Sequence, residues 1–420
     1  MENGESFVEG TCSFFDRPRV KMQTLPFGSG IPLGIEQAYN REVGIGGAYA
    51  AWGQSYNNEE LHRLIEEHLG EPLEAGERMN LSELGFLHRH HIPKLSEQDD
   101  LDLEVQVGAT LLRQASAACG WDTNEIQGVL IGSSGPVVPD YLERIANAAG
   151  IPNSAVKVSI HKACDGSVAG LNLALNPSLT VNQNLDKNIA EELYGKKVLV
   201  GGIEGLSRFL KYSHDKTAMQ LFGNGAGVIG IIPGKSMRLL ASKTHENFDE
   251  EGVLQVKMVY PYSGENTMDD SLLELSTVSE NHYRVAGMMH SPINDEPIVM
   301  AGLIGMVKLF VRTGVDVVKD VYLEYQKRIT DLGFPGKTIA VAVVHHANLK
   351  INRLKEKNLQ REGILISMPW LLSDFGNISA ASNMIAFLRQ LPKLKSGDHI
   401  LIDGFGAGTY YDTLAVALGG

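Results

Sequence analysis

The chain has 420 residues, 43% of them apolar and 21% charged, proportions that exclude disordered, collagen-like and coiled-coil classes and leave a compact protein with a large buried core. Its 37 basic and 50 acidic side chains give a formal net charge of -13, which argues against a nucleic-acid binder because phosphate backbones are held by basic faces. The longest apolar stretch, 297–318, contains Lys308 and Arg312, so no membrane span is expected. The opening residues carry Glu2 and Glu5 rather than a basic start and an apolar core, and a cytoplasmic protein is expected.

Residues 1–42 mix Pro18, Pro26 and Pro32 with several glycines without clear periodicity, and read as an N-terminal extension wrapped over the body. From Val43 the pattern alternates. VGIGGAYA (43–50) reads as a buried strand, and 57–69 and 101–119 as amphipathic helices. GVLIGSS (128–134) reads as a short apolar strand ending in small polar residues. The same strand signal recurs at 196–202, 338–346 and 399–408. Apolar strands of five or six residues alternating with helices imply βαβ units and parallel sheets buried on both faces. The rhythm breaks at 71–80, at 176–193 and across about 234–296, where charges are many and apolar pairs few. The chain is therefore expected to be α/β, with an N-terminal half at 43–232, a connector at 233–296 and a C-terminal half at 297–420. No Gly/Ser/Pro-rich linker separates them.

The three cysteines, Cys12, Cys119 and Cys164, lie far apart without a CxxC pair, so neither a disulfide framework nor a zinc site is suggested. Cys164 lies in SIHKACDGSVAGLNLAL, with an apolar, helix-forming run directly after it. A thiol at a helix start meets the positive end of the macrodipole and free N–H groups, which favour the thiolate. A lone cysteine is more often a small buried hydrophobe, but Gly166 and Gly170 permit the close approach a thioester would need. Cys119 precedes Gly120 at a helix C-terminus and Cys12 lies in the extension, so neither has an activating context.

His345 ends the apolar run VAVV and is followed by His346, Ala347 and Asn348. That position points into the crevice where α/β folds bind ligands, and there it can serve as acid, base or neutral donor. Asn377 and Ser379 in FGNISAAS offer an amide followed by small residues, a phrase that by itself reads as a loop and helix start. His88, Arg89, His90 and His91 are adjacent and alternate faces, so they read as surface or packing residues rather than a metal site. LFGNGAGVIGI (221–231) contains GxGxG without the strand and ribose-binding acid of a dinucleotide site, and reads as a tightly packed strand. GFGAG (404–408) is placed to present backbone N–H groups to an anionic oxygen.

The phrases HKACDG, FGNGAG, HHAN and GNISAAS, in that order and followed by GFGAG, together with GFLHRH (85–90), GSSGPVVPD (132–140) and LSR (206–208), resemble the β-ketoacyl-acyl carrier protein synthase III family of condensing enzymes. The resemblance runs from about Val43 to Leu418. It implies a thiolase fold, two pseudo-repeated βαβ halves in a layered αβαβα arrangement. It further implies Cys164 as nucleophile, a Cys-His-Asn triad completed by His345 and Asn377, and an oxyanion hole from the backbone N–H groups of Cys164 and Ala407. The reaction implied is a Claisen condensation: an acyl-cysteine is attacked by the enolate of a malonyl- or β-ketoacyl-type thioester carried on acyl carrier protein or CoA, with no metal or dissociable cofactor. A homodimer is implied, with Val138 of GPVVPD gating the partner's acyl pocket. Carrier docking is expected on the helix beginning near Leu349, where Lys350, Arg353, Lys357 and Arg361 recur at spacings of three and four and would offer an acidic carrier a basic face. The alternative is a solvated face balanced by Glu356 and Glu362.

Departures from the family pattern point to a specialised member, such as a ketosynthase/cyclase of dialkylresorcinol or stilbene type. The chain is longer than usual, EPLEAGERMN stands where a tryptophan-containing CoA-adenine phrase would lie, and Asp165 adds a carboxylate available to cap the helix or oppose the thiolate. Acyl transfer to a hydroxyl or amine is the competing enzymatic reading. A non-catalytic partner subunit is disfavoured by the joint presence of Cys164, His345 and Asn377.

Overall fold

The computed structural model describes residues 12–419 apart from 26, 28–29, 93, 137, 180–186, 213–214, 247–274, 286–301 and 407–409. The chain enters its main sheet at β1 (Lys21–Leu25), β2 (Ile31–Asn40) and β3 (Ile45–Trp52). A short ribbon, β4 (Gln54–Asn57) with β5 (His88–His91), brackets helix α1 (Asn58–Leu69). Helix α2 (Glu97–Ala118), β6 (Gly128–Gly132), α3 (Tyr141–Ala149), β7 (Val156–Ile160), α4 (Gly166–Leu175), α5 (Ile189–Leu193) and β8 (Val198–Glu204) follow. The first half closes with α6 (Ser207–Tyr212), α7 (Lys216–Leu221) and β9 (Gly225–Ile231). The rest comprises β10 (Met237–Glu246), β11 (Leu275–Ser279), β12 (His282–Val285), α8 (Gly302–Asp331), β13 (Ile339–Val344), α9 (Leu349–Arg361), α10 (Ser382–Gln390), β14 (His399–Gly406) and β15 (Tyr410–Leu418).

These strands form a nine-stranded sheet, β1-β2-β3-β9-β8-β6-β7-β12-β11, and a four-stranded sheet, β10-β15-β14-β13. Helices α2 and α3 cover the outer face of the large sheet, α4 and α10 lie between the two sheets, and α8 and α9 cover the small one, giving the αβαβα layering. The physical driver is double burial. Strands β6, β7, β8 and β9 are buried at every position, as is all of α4, and elements apolar all round can lie only between layers. Helix starts follow their caps. Asn57 and Glu60 form a reciprocal capping box at 3.0 and 2.9 Å on α1, and Ser96 accepts from Asp99 N–H at 3.1 Å on α2.

Three expectations need correction. Order begins before Val43: β1 and β2 sit in the main sheet, and Phe14 is wholly buried against Tyr49 and Phe375. The region 233–296, expected to be a connector with some local structure, supplies strands to both sheets instead, β10 pairing with β15 and β12 with β7; its segments 247–274 and 286–301 lie outside the described residues. The sheets are mixed rather than parallel. Parallel pairing is confined to β8-β6-β7-β12 and β13-β14, while β9 and β15 run antiparallel to their neighbours. Among the described residues, no helix is long and apolar enough to cross a membrane.

Candidate active site

Beyond β7 the chain makes a single 3-10 turn, Ala163–Asp165, and enters α4. Ala163 takes φ +46°, a left-handed conformation that costs a non-glycine residue roughly 1–2 kcal/mol and so has to be held by its surroundings. The fit is close: a Cβ at Gly132 would lie 2.6 Å from the carbonyl carbon of Gly166, so only glycine lets the first turn of α4 rest on β6. Cys164 is thereby left at the entry to α4, 9% exposed, where the helix N-terminus favours a thiolate.

The same device recurs in the second half. The turn Ser379–Ala381 leads into α10 with Ser379 at φ +42°, and a Cβ at Gly202 would lie 2.5 Å from the carbonyl carbon of Ala380. The residue after the left-handed position is Ala380 there and Cys164 here. Of the two pseudo-equivalent turns, the first alone carries a thiol.

Cys164, His345 and Asn377 line one cavity of about 40 Å³, together with Phe222, Phe310 and Phe405. His345 follows β13 directly, and its N–H donates to the Asp403 carbonyl at 2.9 Å. The ring is 1% exposed, stands edge-on to Phe405 at 5.1 Å, and its Nδ1 has no hydrogen-bond partner among the described residues. Burial lowers its pKa to about 3, with the charges of His346 and Lys355 acting in the same direction, so the ring is neutral at neutral pH. His346 is committed elsewhere: Nδ1 meets the Val344 carbonyl at 2.8 Å and Nε2 accepts from Leu371 N–H at 2.9 Å. Of the two adjacent histidines, His345 is the one available to a ligand.

Asn377 is strapped to the C-terminal end of α7 and the residues that follow it. Its N–H donates to the Leu221 carbonyl at 3.0 Å, and Gly223 N–H donates to its carbonyl at 3.3 Å. Its Oδ1 accepts from Ser379 N–H at 2.9 Å, which turns the amide nitrogen into the group free to donate. FGNGAG and GNISAAS thus meet at one wall. Ala407 lies outside the described residues, but its neighbour Gly406 packs so closely that a Cβ there would come 2.9 Å from Cys164 N.

The other expected residues fall elsewhere. Val138 is half-buried against the layer formed by α2 and α3 and is not on this cavity's wall. Lys350, Arg353, Lys357 and Arg361 are all exposed on α9, whose cap, Asn348, lines the cavity. Lys350 pairs with Glu83 at 2.6 Å. Glu362 pairs with Lys319 at 2.6 Å and Glu356 accepts from Met368 N–H at 3.2 Å. Of the surface and packing alternatives, His90 and His91 take the second and are buried; His90 packs among Phe14, Phe15 and Phe375, and burial lowers the pKa of both to about 3. Cys12 is exposed, and burial pushes the Cys119 thiol up to about 12, which makes it unreactive.

One feature beside the cavity has no counterpart among the expected residues. Lys355 of α9 and Asp403 of β14 form an ion pair with both side chains fully buried, and Lys355 Nζ lies 4.7 Å from the centroid of the Phe405 ring. The available signal was helical spacing, since Lys355 sits between Ile351 and Leu359 on the buried stripe of α9.

Residues 329–418 match the family described as 3-oxoacyl-[acyl-carrier-protein] synthase III C terminal, a segment that includes His345 and Asn377 but not Cys164. The β-ketoacyl-[acyl-carrier-protein] synthase III of Helicobacter hepaticus is 26% identical over 338 residues, covering 78% of this chain and 85% of that protein. Among solved structures, the 3-oxoacyl-[acyl-carrier-protein] synthase III of Aquifex aeolicus superposes with a TM-score of 0.58 at 18% identity, over 95% of this chain and 99% of that one. The priming β-ketosynthase of the R1128 polyketide biosynthetic pathway superposes with a TM-score of 0.55 at 22% identity, over 91% and 97%.

Proposed function

We propose that this homologue of the β-ketoacyl-[acyl-carrier-protein] synthase III enzymes, which has their thiolase fold, is a condensing acyltransferase that forms a carbon-carbon bond. In the first half-reaction the Cys164 sulfur attacks an acyl thioester; the new S–C bond forms, the donor's C–S bond breaks, and the thiol proton leaves with the donor thiol. Backbone N–H groups of Cys164 and Ala407 stabilise the tetrahedral oxyanion. In the second, a malonyl-type thioester loses carbon dioxide, and His345 and the Asn377 amide donate to the enolate oxygen. The enolate carbon attacks the acyl carbonyl and Cys164 departs as thiolate. With a β-ketoacyl-type acceptor, transfer of its acidic α proton to solvent takes the place of decarboxylation.

The observation that carries this reading is the single cavity wall shared by Cys164, His345 and Asn377, with His345 held neutral by burial. A neutral imidazole can donate to a developing enolate without first titrating. The basic face of α9 is the docking surface for an acidic carrier protein, and the enzyme works in the cytoplasm as a homodimer in which Val138 gates the partner's acyl pocket. The test is product analysis: the purified chain, an acyl thioester and a malonyl thioester should give a β-keto thioester or its cyclised product. An ester or amide of an added hydroxyl or amine acceptor, with no β-keto product, would favour simple acyl transfer instead.

A further inference from the structure

Asp165 follows the candidate nucleophile directly and is fully buried. It does not cap α4 with its side chain, and neither carboxyl oxygen accepts a hydrogen bond among the described residues. Nor does it line the cavity. Its carboxyl occupies the space over Gly404 of β14, where a Cβ would fall 2.0 Å from Asp165 Oδ1. The carboxyl in this place therefore requires glycine at 404.

The group facing Asp165 is Asp412 of β15, also fully buried. Asp412 Oδ1 accepts from Asn172 Nδ2 at 2.7 Å and from Thr244 Oγ1 at 2.6 Å. Its Oδ2 has no hydrogen-bond partner and lies 4.0 Å from Lys162 Nζ. The other charged groups facing Asp165 are Lys162, whose charge works against a rise in its pKa, and Asp403 of β14, which is paired with Lys355 of α9. Three carboxyls thus share this interior with two lysines. If all were ionised, the compartment would hold a net negative charge next to a thiol that has to become a thiolate, at a high desolvation cost. One proton between Asp165 and Asp412 removes both problems: it gives Asp412 Oδ2 a donor and leaves the two remaining carboxylates matched by two lysines. Burial, reinforced by the charge of Asp412, raises the Asp165 pKa well above the carboxylate range, in agreement with that count.

We propose that Asp165 is a positioning residue for the nucleophile: its carboxyl, hydrogen-bonded to Asp412 through the gap left by Gly404, pins the Ala163–Asp165 turn to β15 and sets the reactivity of the Cys164 thiol. The inference rests on the reading of Cys164 as the nucleophile. It replaces both roles that the sequence left open for this acid. A neutral acid does not oppose the thiolate, and its hydrogen bond runs to β15 instead of to the helix.

The experiment uses the full chain with Asp165→Asn and Asp165→Ala. Asparagine keeps the shape and a donor for Asp412; alanine removes both. The readouts are the pH profile of iodoacetamide alkylation at Cys164, followed by peptide mass, and the infrared C=O band of a protonated carboxyl in deuterated buffer. Asp165→Asn is expected to keep the wild-type alkylation profile and to lose the Asp165 component of the infrared band, beside any contribution from other buried carboxyls such as Glu204. Asp165→Ala is expected to shift the profile upward by about one unit, which slows alkylation near neutral pH roughly tenfold. An unshifted profile in Asp165→Ala, an Asp165→Asn variant as slow as the alanine one, or an Asp165→Asn band identical to that of wild type would each overturn the proposal. If Asp165→Ala does not fold, the band and profile of Asp165→Asn decide alone. Alkylation needs no acyl donor, so a chain that no acyl thioester acylates but that follows this pattern defeats the functional reading without defeating this one.

Discussion

Replacing Lys355 with methionine removes one partner of an ion pair whose side chains are both fully buried, and the loss of one partner from such a pair costs about 3–5 kcal/mol. Asp403 keeps the hydroxyl of Thr413 at 2.8 Å but no counter-charge, directly beneath the strand end whose carbonyl accepts from His345 N–H. The penalty should depend on pH. Burial already raises the Asp403 pKa, with Lys355 working against it. For a carboxyl raised in the folded state, stability is complete below the unfolded pKa of about 3.9 and is lost as pH rises through the folded value. Without Lys355 that folded value moves higher, so the deficit of Lys355→Met relative to wild type is largest at alkaline pH and shrinks on acidification. Urea unfolding near pH 8 and near pH 6, followed by tryptophan fluorescence, measures this, with the midpoint falling and the slope unchanged. The double variant Lys355→Met/Asp403→Asn, which removes both charges of this pair and leaves neither partner uncompensated, should recover most of the loss. A single variant within about 0.5 kcal/mol of wild type, inside the range of ordinary surface substitutions, would refute the reasoning, as would a deficit equal at both pH values.

His345, lowered to about 3 by burial, should stay neutral throughout the working range, so decarboxylation of a malonyl thioester should show no limb near the ordinary histidine value of about 6.5; a limb there that vanishes in His345→Ala would contradict a neutral donor. On the exposed face of α9, Lys350→Glu/Arg353→Glu should slow turnover of carrier-bound substrate about tenfold at low salt and much less at high salt, while small thioester mimics react as before. Equal loss with both substrate forms would make α9 a support of the site rather than a docking surface. Val138→Phe should narrow the range of accepted acyl chains, and light scattering should report the proposed dimer for wild type and variant alike; unchanged chain selectivity would remove Val138 from the partner's pocket.

The elements that were legible in sequence are those whose burial writes itself into local composition. Strands β6, β8, β13 and β14 are apolar runs because layers cover both their faces, and Cys164 stood out because a helix-forming run follows it. Strand β2 has no local signal because IPLGIEQAYN carries Pro32 and alternates poorly, while its placement is fixed by pairing with β1 and β3. Strand β10 reads as polar connector, and only its pairing with β15 at the sheet's edge makes it a strand. Asn377 has no local signal for the same reason: its position depends on hydrogen bonds to Leu221 and Gly223, far along the chain. The buried charges Asp165, Lys355, Asp403 and Asp412 look like surface residues in any composition count. They become interior groups only once two halves of the chain are stacked on each other.

The most direct test of the central claim is intact-protein mass spectrometry with peptide mapping, on wild type and Cys164→Ala, after incubation with a panel of acyl thioesters and then with a malonyl thioester. Cys164→Ala changes volume little and should leave the fold intact. One acyl adduct is expected, mapped to Cys164, absent from Cys164→Ala, and discharged by the malonyl thioester as a β-keto product. An adduct on Cys12 or Cys119 that survives in Cys164→Ala, or a Cys164 adduct that the malonyl thioester leaves untouched, would contradict it.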